Sequence, residues 1–131
     1  MKESAGLVLL HDNKILLVHP TGGKWFGTYS IPKGEIDENE TALEAAIRET
    51  HEEIGILFDI DNIRVIDDGY INYTNGGETY KRVYFFVVNL IHLPIGIQVQ
   101  KEEVDWAGWL PKAEAEKRIF WRLKPVLQYL K

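Results

Sequence analysis

The chain contains no cysteine and no long hydrophobic run. Without cysteine it can form neither disulfides nor thiolate metal sites, and this absence is typical of proteins in a reducing compartment. No apolar stretch approaches the ~18 residues of a transmembrane helix, and the N-terminus lacks a cleavage site of the signal-peptide type. We therefore expect a cytoplasmic protein with no membrane association.

Positive charge is also scarce. The 131 residues include 15 lysines and arginines against 20 aspartates and glutamates, a formal net charge of −5. Binding to DNA, RNA polymers or anionic membranes rests on clustered Lys and Arg, so this balance argues against such partners. A small anionic ligand needs a local source of positive charge. The sequence does not indicate an oligomeric state.

The composition, with 45% hydrophobic and 27% charged residues, is that of an ordinary globular protein, and the length favours one domain over residues 1–131. Apolar runs at 5–10 and 14–19 flank a hairpin turn, and a Gly- and Pro-rich loop spans 20–34, with a short strand possible around 29–31. Strand-like segments at 63–74 and 79–91 flank the turn NGGE. A short strand near 106–109 precedes a final helix from about 112, which Pro125 is expected to kink or divide. This order predicts an α/β fold with a mixed sheet between helices, an α/β/α layering.

The segment RETHEEIGI, residues 48–56, crowds three glutamates, Glu49, Glu52 and Glu53, into five positions. It ends a predicted helix that begins with a capping box at Thr41 and Glu44 and stops at Gly55. Like charges three or four positions apart cost a helix about 0.2–0.5 kcal/mol per pair. A positive partner is therefore expected among these carboxylates.

The helix also has an apolar stripe, and a helical projection places the three glutamates at the edge of that stripe and outside it. The stripe is formed by Leu43, Ala46, Ile47, Thr50 and Ile54. Taken alone, the glutamates also fit a solvated helix face in which Arg48 pairs with neighbouring acids at four-residue spacing.

The full span from Gly34 resembles the Nudix box. After Gly34 come five residues, Glu40, seven residues, Arg48 and Glu49, and then Glu52, Glu53 and Gly55 at the box spacing. Thr50 departs from the pattern, because the family normally has an aliphatic residue there. The resemblance implies the Nudix fold and hydrolysis of a diphosphate linkage.

The resemblance also implies roles for the box residues. Glu52 and Glu53 would be the chief ligands of magnesium, with manganese as another possible metal, and the backbone carbonyl of Gly34 would be a further ligand. Glu49 would be a ligand or the general base, Arg48 would hold one of the acids, and Glu40 would act structurally. Magnesium prefers such hard oxygen ligands and completes its shell with water and substrate phosphates.

Two residues outside the helix extend this prediction. Nudix enzymes often draw an additional acid from a later loop, and Glu103 is the candidate as metal ligand or general base; a run of surface acids is the alternative. Lys33, in the segment IPKGE, resembles the lysine of family members that act on dinucleoside polyphosphates and diphosphoinositol polyphosphates. It would supply the local positive charge beside the phosphates.

The substrate is expected to be a small nucleotide. Tyr73 lies at the position of a tyrosine that marks dinucleoside polyphosphate hydrolases, and the pattern most resembles asymmetrical diadenosine tetraphosphate hydrolases. Tyr73 and Trp25 are therefore candidates for base stacking, with ordinary strand or core packing as the alternative. A nucleoside triphosphate pyrophosphohydrolase is the second hypothesis. A third is a nucleotide-binding Nudix domain without catalysis, which the intact set of box acids disfavours.

Overall fold

The computed structural model describes residues 1–131 and contains six strands, two α-helices and one 3-10 helix. The elements follow one another as β1 (Lys2–His11), β2 (Lys14–Pro20), β3 (Lys33–Glu35), α1 (Ala42–Ile54), β4 (Val65–Asn75), β5 (Glu78–Asn89), β6 (Val104–Pro111), α2 (Lys112–Arg118) and the 3-10 helix Trp121–Tyr129. No helix is both long and apolar enough to cross a membrane.

The six strands form one mixed sheet in the order β4-β5-β1-β2-β6, with β3 paired to β1. β1 runs parallel to β5 and antiparallel to β2 and β3, and β4 runs antiparallel to β5. The short pairing of Gly34 with Ala5 fixes the loop that precedes α1 against the centre of the sheet.

Alternating side chains of the central strands enter two separate cores. Val8 and Leu10 pack with the 3-10 helix side of the sheet, whereas Leu7 and Leu9 pack with α1. Because successive side chains of a strand point to opposite faces, a continuous apolar run such as residues 5–10 of β1 has to be covered on both sides. The α/β/α layering expected from the sequence is confirmed.

The ends of α1 match the sequence prediction. Thr41 and Glu44 form a complete capping box, and Gly55 ends the helix in the left-handed conformation with φ 77°. Thr50 is buried, and its hydroxyl donates to the Ala46 carbonyl at 2.7 Å. A threonine therefore fits the apolar face, because its one polar group is satisfied within the helix.

The expectation that all three glutamates lie outside the apolar stripe of α1 was wrong for Glu53. Glu53 is 5% exposed and lies among the buried residues of the helix, whereas the partly buried Leu43 packs against the core as expected. The projection considered one helix, but the sheet, β3 and the segment before β6 enclose Glu53 from several sides. One of the three crowded glutamates thus lies within the core boundary.

The predicted C-terminal helix is divided at Ile119 and Phe120, before Pro125. α2 ends at Arg118, because the backbone of Ile119 is extended. The segment around Ile119 pairs with Tyr29 of the loop: the Tyr29 N–H donates to the Arg118 carbonyl, and the Phe120 N–H donates to the Tyr29 carbonyl. Pro125 then lies inside the 3-10 helix. In the expected strand at 29–31, only Tyr29 and Ser30 form isolated bridges, and the strand of this loop is β3 instead.

Candidate active site

Arg48 organises the polar side of α1. Its Nε and Nη2 donate to the two carboxylate oxygens of Glu40 at 2.8 and 3.0 Å, and its Nη1 donates to Glu49 at 2.9 Å. Nη2 also donates to the Glu35 carbonyl at 2.9 Å. These bonds hold the pKa of Glu40 below its usual range and raise that of Arg48. The planar guanidinium thereby ties the loop before α1 to the helix.

Glu52 belongs to this Arg48 network in the present arrangement. Its two carboxylate oxygens each lie 3.3 Å from Arg48 Nη1, and its side chain is 47% exposed. This contact is longer than those of Glu40 and Glu49. Glu52 therefore lies outside the group of convergent carboxylates formed by Glu49, Glu53 and Glu103.

Three carboxylates of the chain converge, and of these only Glu49 pairs with Arg48. Single oxygens of Glu49, Glu53 and Glu103 lie within 4.8 Å of one another. Glu49 and Glu53 are one helical turn apart on α1, and Glu103 comes from the segment before β6. We call Glu49, Glu53 and Glu103 the acid cluster. Three hard oxygen donors at this separation suit a divalent cation such as magnesium.

Gly34 provides the space for the acid cluster. A Cβ atom at residue 34 would lie 2.1 Å from the carboxylate carbon of Glu49 and 2.3 Å from both of its oxygens. The Glu49 carboxylate therefore rests directly on the Gly34 backbone, and a side chain at residue 34 would push it out of this position. This contact gives the first residue of the box a steric role, beside the ligand role that the resemblance implies.

Burial and like charge alter the acidity of the cluster. Burial first, and then the Glu49 charge, raises the pKa of Glu53 to about 8. Burial also raises the pKa of Glu49, although Arg48 opposes the shift. Carboxylates in such surroundings hold protons that a bound cation displaces. The donor set and its electrostatics thus both fit a metal ion.

Lys33 lies beside the acid cluster, and Lys81 of β5 lies near Lys33. The backbone N–H of Lys33 donates to Glu53 Oε2 at 3.2 Å. Burial, and then the charge of Lys81, lowers the pKa of Lys33 to about 8, while Glu53 opposes the shift. Two neighbouring ammonium groups repel each other unless an anion lies between them. Phosphate oxygens are suitable anions for this position.

A cleft of about 200 Å³ connects these groups. It is lined by Lys33, Glu53 and Glu103, together with Pro20, the last residue of β2, and Ser30, which lies between β2 and β3. The cleft thus places the side chain of Lys33 next to Glu53 and Glu103, two of the three clustered acids. A metal-bound anionic substrate requires such an arrangement of positive charge beside the metal ligands.

Tyr73 is not available for base stacking in this arrangement. Its ring is 5% exposed and packs near Phe120 and Tyr80, with ring centroids at 5.9 and 6.2 Å. Lys81 and Arg122 each lie 5.5 Å from its centroid. Its hydroxyl has no hydrogen-bond partner, and burial raises its pKa to about 12. The strand-packing interpretation of Tyr73 therefore fits the geometry better than the stacking hypothesis.

Trp25 is 52% exposed, as a stacking residue has to be. One face of its indole covers His19, with ring centroids 3.8 Å apart and planes inclined by 5°. Lys81 and His19 carry no sequence motif that predicts a role at the site. The position of Lys81 could have been inferred, because the NGGE turn sets it opposite Tyr73 in the hairpin register. No local signal marks His19, whose partners are distant in sequence.

A single family model matches nearly the whole chain. The model described as NUDIX domain covers residues 1–130. Among curated proteins, Nudix hydrolase 2 of Arabidopsis thaliana is 27% identical over 125 residues, which are 94% of this chain and 43% of that protein. The mRNA-decapping protein g5R of African swine fever virus is 35% identical over 132 residues, which cover 91% of this chain and 53% of that protein. The chain thus spans about half the length of these relatives.

A solved structure of similar size shows the same fold. The C. elegans Ap4A hydrolase in a binary complex superposes with a TM-score of 0.78 at 22% identity, covering 98% of this chain and 93% of that one. At this identity the likeness extends to the fold alone.

Proposed function

The chain belongs to the Nudix family, and on that premise we propose that it hydrolyses a phosphoric anhydride bond of a small nucleotide with the help of a divalent cation, most simply magnesium. The observation that carries the proposal is the convergence of Glu49, Glu53 and Glu103 within 4.8 Å beside Lys33. A bound divalent cation neutralises phosphate charge and activates water for attack. Manganese satisfies the same oxygen donors.

The chain's own residues have separable tasks in this proposal. Glu53 and Glu103 would hold the cation, and Glu49, seated on Gly34 and tied to Arg48, would be a further ligand or the base for the attacking water. Glu52, which contacts Arg48 at 3.3 Å, would be an additional ligand. Lys33, which lines the cleft, and its neighbour Lys81 would bind the phosphates.

We propose a dinucleoside polyphosphate such as diadenosine tetraphosphate as the preferred substrate. The neighbouring ammonium groups of Lys33 and Lys81 support this choice, because a chain of several phosphates offers each lysine its own anion. The exposed Trp25 near the cleft offers a surface for one base. A nucleoside triphosphate, which offers fewer phosphates, is the second candidate.

The test is a substrate panel with purified protein and magnesium. The panel contains diadenosine tetraphosphate, nucleoside triphosphates, ADP-ribose, a diphosphoinositol polyphosphate and a short capped RNA, with products separated chromatographically. We expect the highest kcat/KM on diadenosine tetraphosphate. Preference for a nucleoside triphosphate would select the second candidate, and binding without any product would select the non-catalytic domain.

A further inference from the structure

His19, at the end of β2, is a buried ring with two acceptor partners. It is 1% exposed, its Nδ1 lies 2.6 Å from Asp105 Oδ1, and its Nε2 lies 2.9 Å from the Lys24 carbonyl. The two ring nitrogens therefore connect the Asp105 carboxylate with the Lys24 carbonyl. His19 thereby joins β6 to the loop that follows β2.

This ring also determines the orientation of Trp25. The indole lies parallel to the imidazole at 3.8 Å, and Tyr29 contacts the indole edge-on with centroids 6.2 Å apart. The Trp25 carbonyl accepts from Arg118 Nη1 at 3.3 Å. One indole face is therefore covered, and with half of its side chain exposed Trp25 presents the opposite face to solvent.

The Trp25 loop is tied to the acid cluster through its backbone. Thr21 N–H donates to the Glu103 carbonyl at 3.0 Å, and Thr21 Oγ1 donates to the Lys101 carbonyl at 2.7 Å. Pro20 and Ser30, which flank residues 21–29 of this loop, line the cleft that contains Glu53 and Glu103. The indole thus stands on a loop that borders the phosphate cleft and is fastened to the Glu103 segment.

We propose that the exposed face of Trp25 is the stacking platform for a nucleotide base, and that His19 is the positioning residue that holds this platform at the rim of the cleft. The inference rests on the proposed function, since it requires nucleotide phosphates in the cleft. Stacking of a base on an aromatic side chain is worth about fivefold to a hundredfold in affinity.

The platform is tested by calorimetric titration with two probes, AMP and pyrophosphate, which differ in the presence of a base. Trp25→Ala is expected to weaken AMP by at least about fivefold and to leave pyrophosphate unchanged, while Trp25→Phe loses less. Trp121→Ala is the matched control, because Trp121 is 61% exposed and lies on the 3-10 helix. Unchanged AMP affinity in Trp25→Ala, or a larger loss in Trp121→Ala, overturns the proposal.

The positioning role is tested with His19→Gln, which cannot donate from two ring nitrogens. We expect KM for diadenosine tetraphosphate and the Kd of AMP to rise by about fivefold or more, with kcat within about twofold of wild type. Asp105→Asn keeps His19 in place and weakens its anchor, so it is expected to show the same split and serves if His19→Gln does not fold. A lower Tm with unchanged KM and AMP affinity would make His19 a purely structural residue and overturn its assignment.

These experiments also separate this inference from the proposed function. A wild-type protein that hydrolyses no nucleotide refutes the proposed activity, yet the AMP and pyrophosphate titrations still decide whether Trp25 binds a base. Active hydrolysis with full AMP affinity in Trp25→Ala refutes the platform alone.

Discussion

The Arg48 network and the acid cluster are built from neighbouring glutamates of one helix but differ in how their charge is balanced. In the network, Arg48 neutralises Glu40 through a two-point contact at 2.8 and 3.0 Å. In the cluster, burial and mutual repulsion raise the pKa of Glu53 to about 8. Glu49 belongs to both, since it accepts from Arg48 at 2.9 Å and faces Glu53 and Glu103.

This difference shows that similar residues in one motif serve opposite purposes. The network is complete without any ligand and holds the loop before α1 in place. The cluster is electrostatically incomplete, because Arg48 pairs with Glu49 alone among its three acids, and the buried Glu53 lies beside two further carboxylates. Such a setting favours either a bound proton or a cation. Substitutions in the network should therefore act on stability first, whereas substitutions in the cluster should act on metal response and turnover.

The largest effect is expected from Glu53→Gln, which keeps the size of the side chain and removes its charge. Turnover at saturating magnesium should fall by about a hundredfold or more, the scale of losing a charge-stabilising group in an active site. The fold should persist, because the amide fits a buried site that already favours the neutral acid. Product release and circular dichroism measure the two outcomes.

Glu38→Gln is the control for this variant, because Glu38 is exposed and lies in the loop before α1. It removes the same charge away from the cluster and should keep wild-type turnover. Near-full activity of Glu53→Gln would show that the acid cluster is not the site of the chemistry.

Arg48→Ala should break the network and lower stability. Loss of charge-assisted hydrogen bonds to Glu40 and Glu49 from a partly exposed arginine is expected to cost about 1–3 kcal/mol. Denaturant unfolding, with and without magnesium, measures the change, which should be present in both conditions. An unchanged unfolding midpoint would mean that the contacts of Arg48 are replaced by water at no cost.

Glu103→Gln tests whether the cluster extends beyond α1. Because Glu103 contributes one of the three convergent oxygens, its loss should lower kcat/KM by about tenfold or more and weaken the metal response. The adjacent Glu102→Gln provides a matched control, since Glu102 is exposed and outside the cluster. Equal behaviour of the two variants would assign both residues to an ordinary acidic surface.

Metal binding and pH should be linked through Glu53. Its pKa is raised from 4.5 to about 8, so the folded metal-free protein holds a proton that the unfolded chain has lost. The stability from Glu53 is therefore fully present below about pH 4.5 and is lost as pH rises through about 8. Magnesium competes with this proton, and its increase in Tm should be larger at pH 8 than at pH 5.5.

The triple variant Glu49→Gln/Glu52→Gln/Glu53→Gln sharpens that measurement. Without metal it should melt no lower than the wild type, because mutual repulsion is removed, and magnesium should barely shift its Tm. Scanning calorimetry over both pH values records the shifts. Equal magnesium shifts in the wild type and the triple variant would place the metal elsewhere.

The smallest effect is expected from Tyr73→Phe. The substitution removes a buried hydroxyl that has no hydrogen-bond partner, so stability should stay the same or rise by less than about 1 kcal/mol. KM for diadenosine tetraphosphate should not change, because the ring is buried. A selective rise in KM without loss of stability would restore a substrate role for Tyr73.

Local patterns were sufficient for much of this protein. The capping box, the Gly55 stop, both hairpins and the layered fold follow from signals within a few residues of each other, such as the Gly76–Gly77 turn with positive φ at both positions. The box spacing likewise singled out Gly34, Arg48 and the glutamates of α1. Contacts between distant segments were harder to foresee, as the early end of α2 beside Tyr29 shows.

The sequence by itself determined which groups are available: a helix with crowded glutamates, a glycine ahead of it, a nearby lysine and a chain able to cover both faces of a sheet. These properties depend on residue type and short spacing, which the local backbone geometry converts into structure. Only the tertiary structure decided that Glu53 is buried while Glu52 is exposed, that Glu103 joins Glu49, and that Tyr73 is covered while Trp25 rests on His19. Burial and electrostatic coupling are set by segments far apart in the chain, such as His19 and Asp105 at a separation of 86 residues. No local pattern records what such segments enclose.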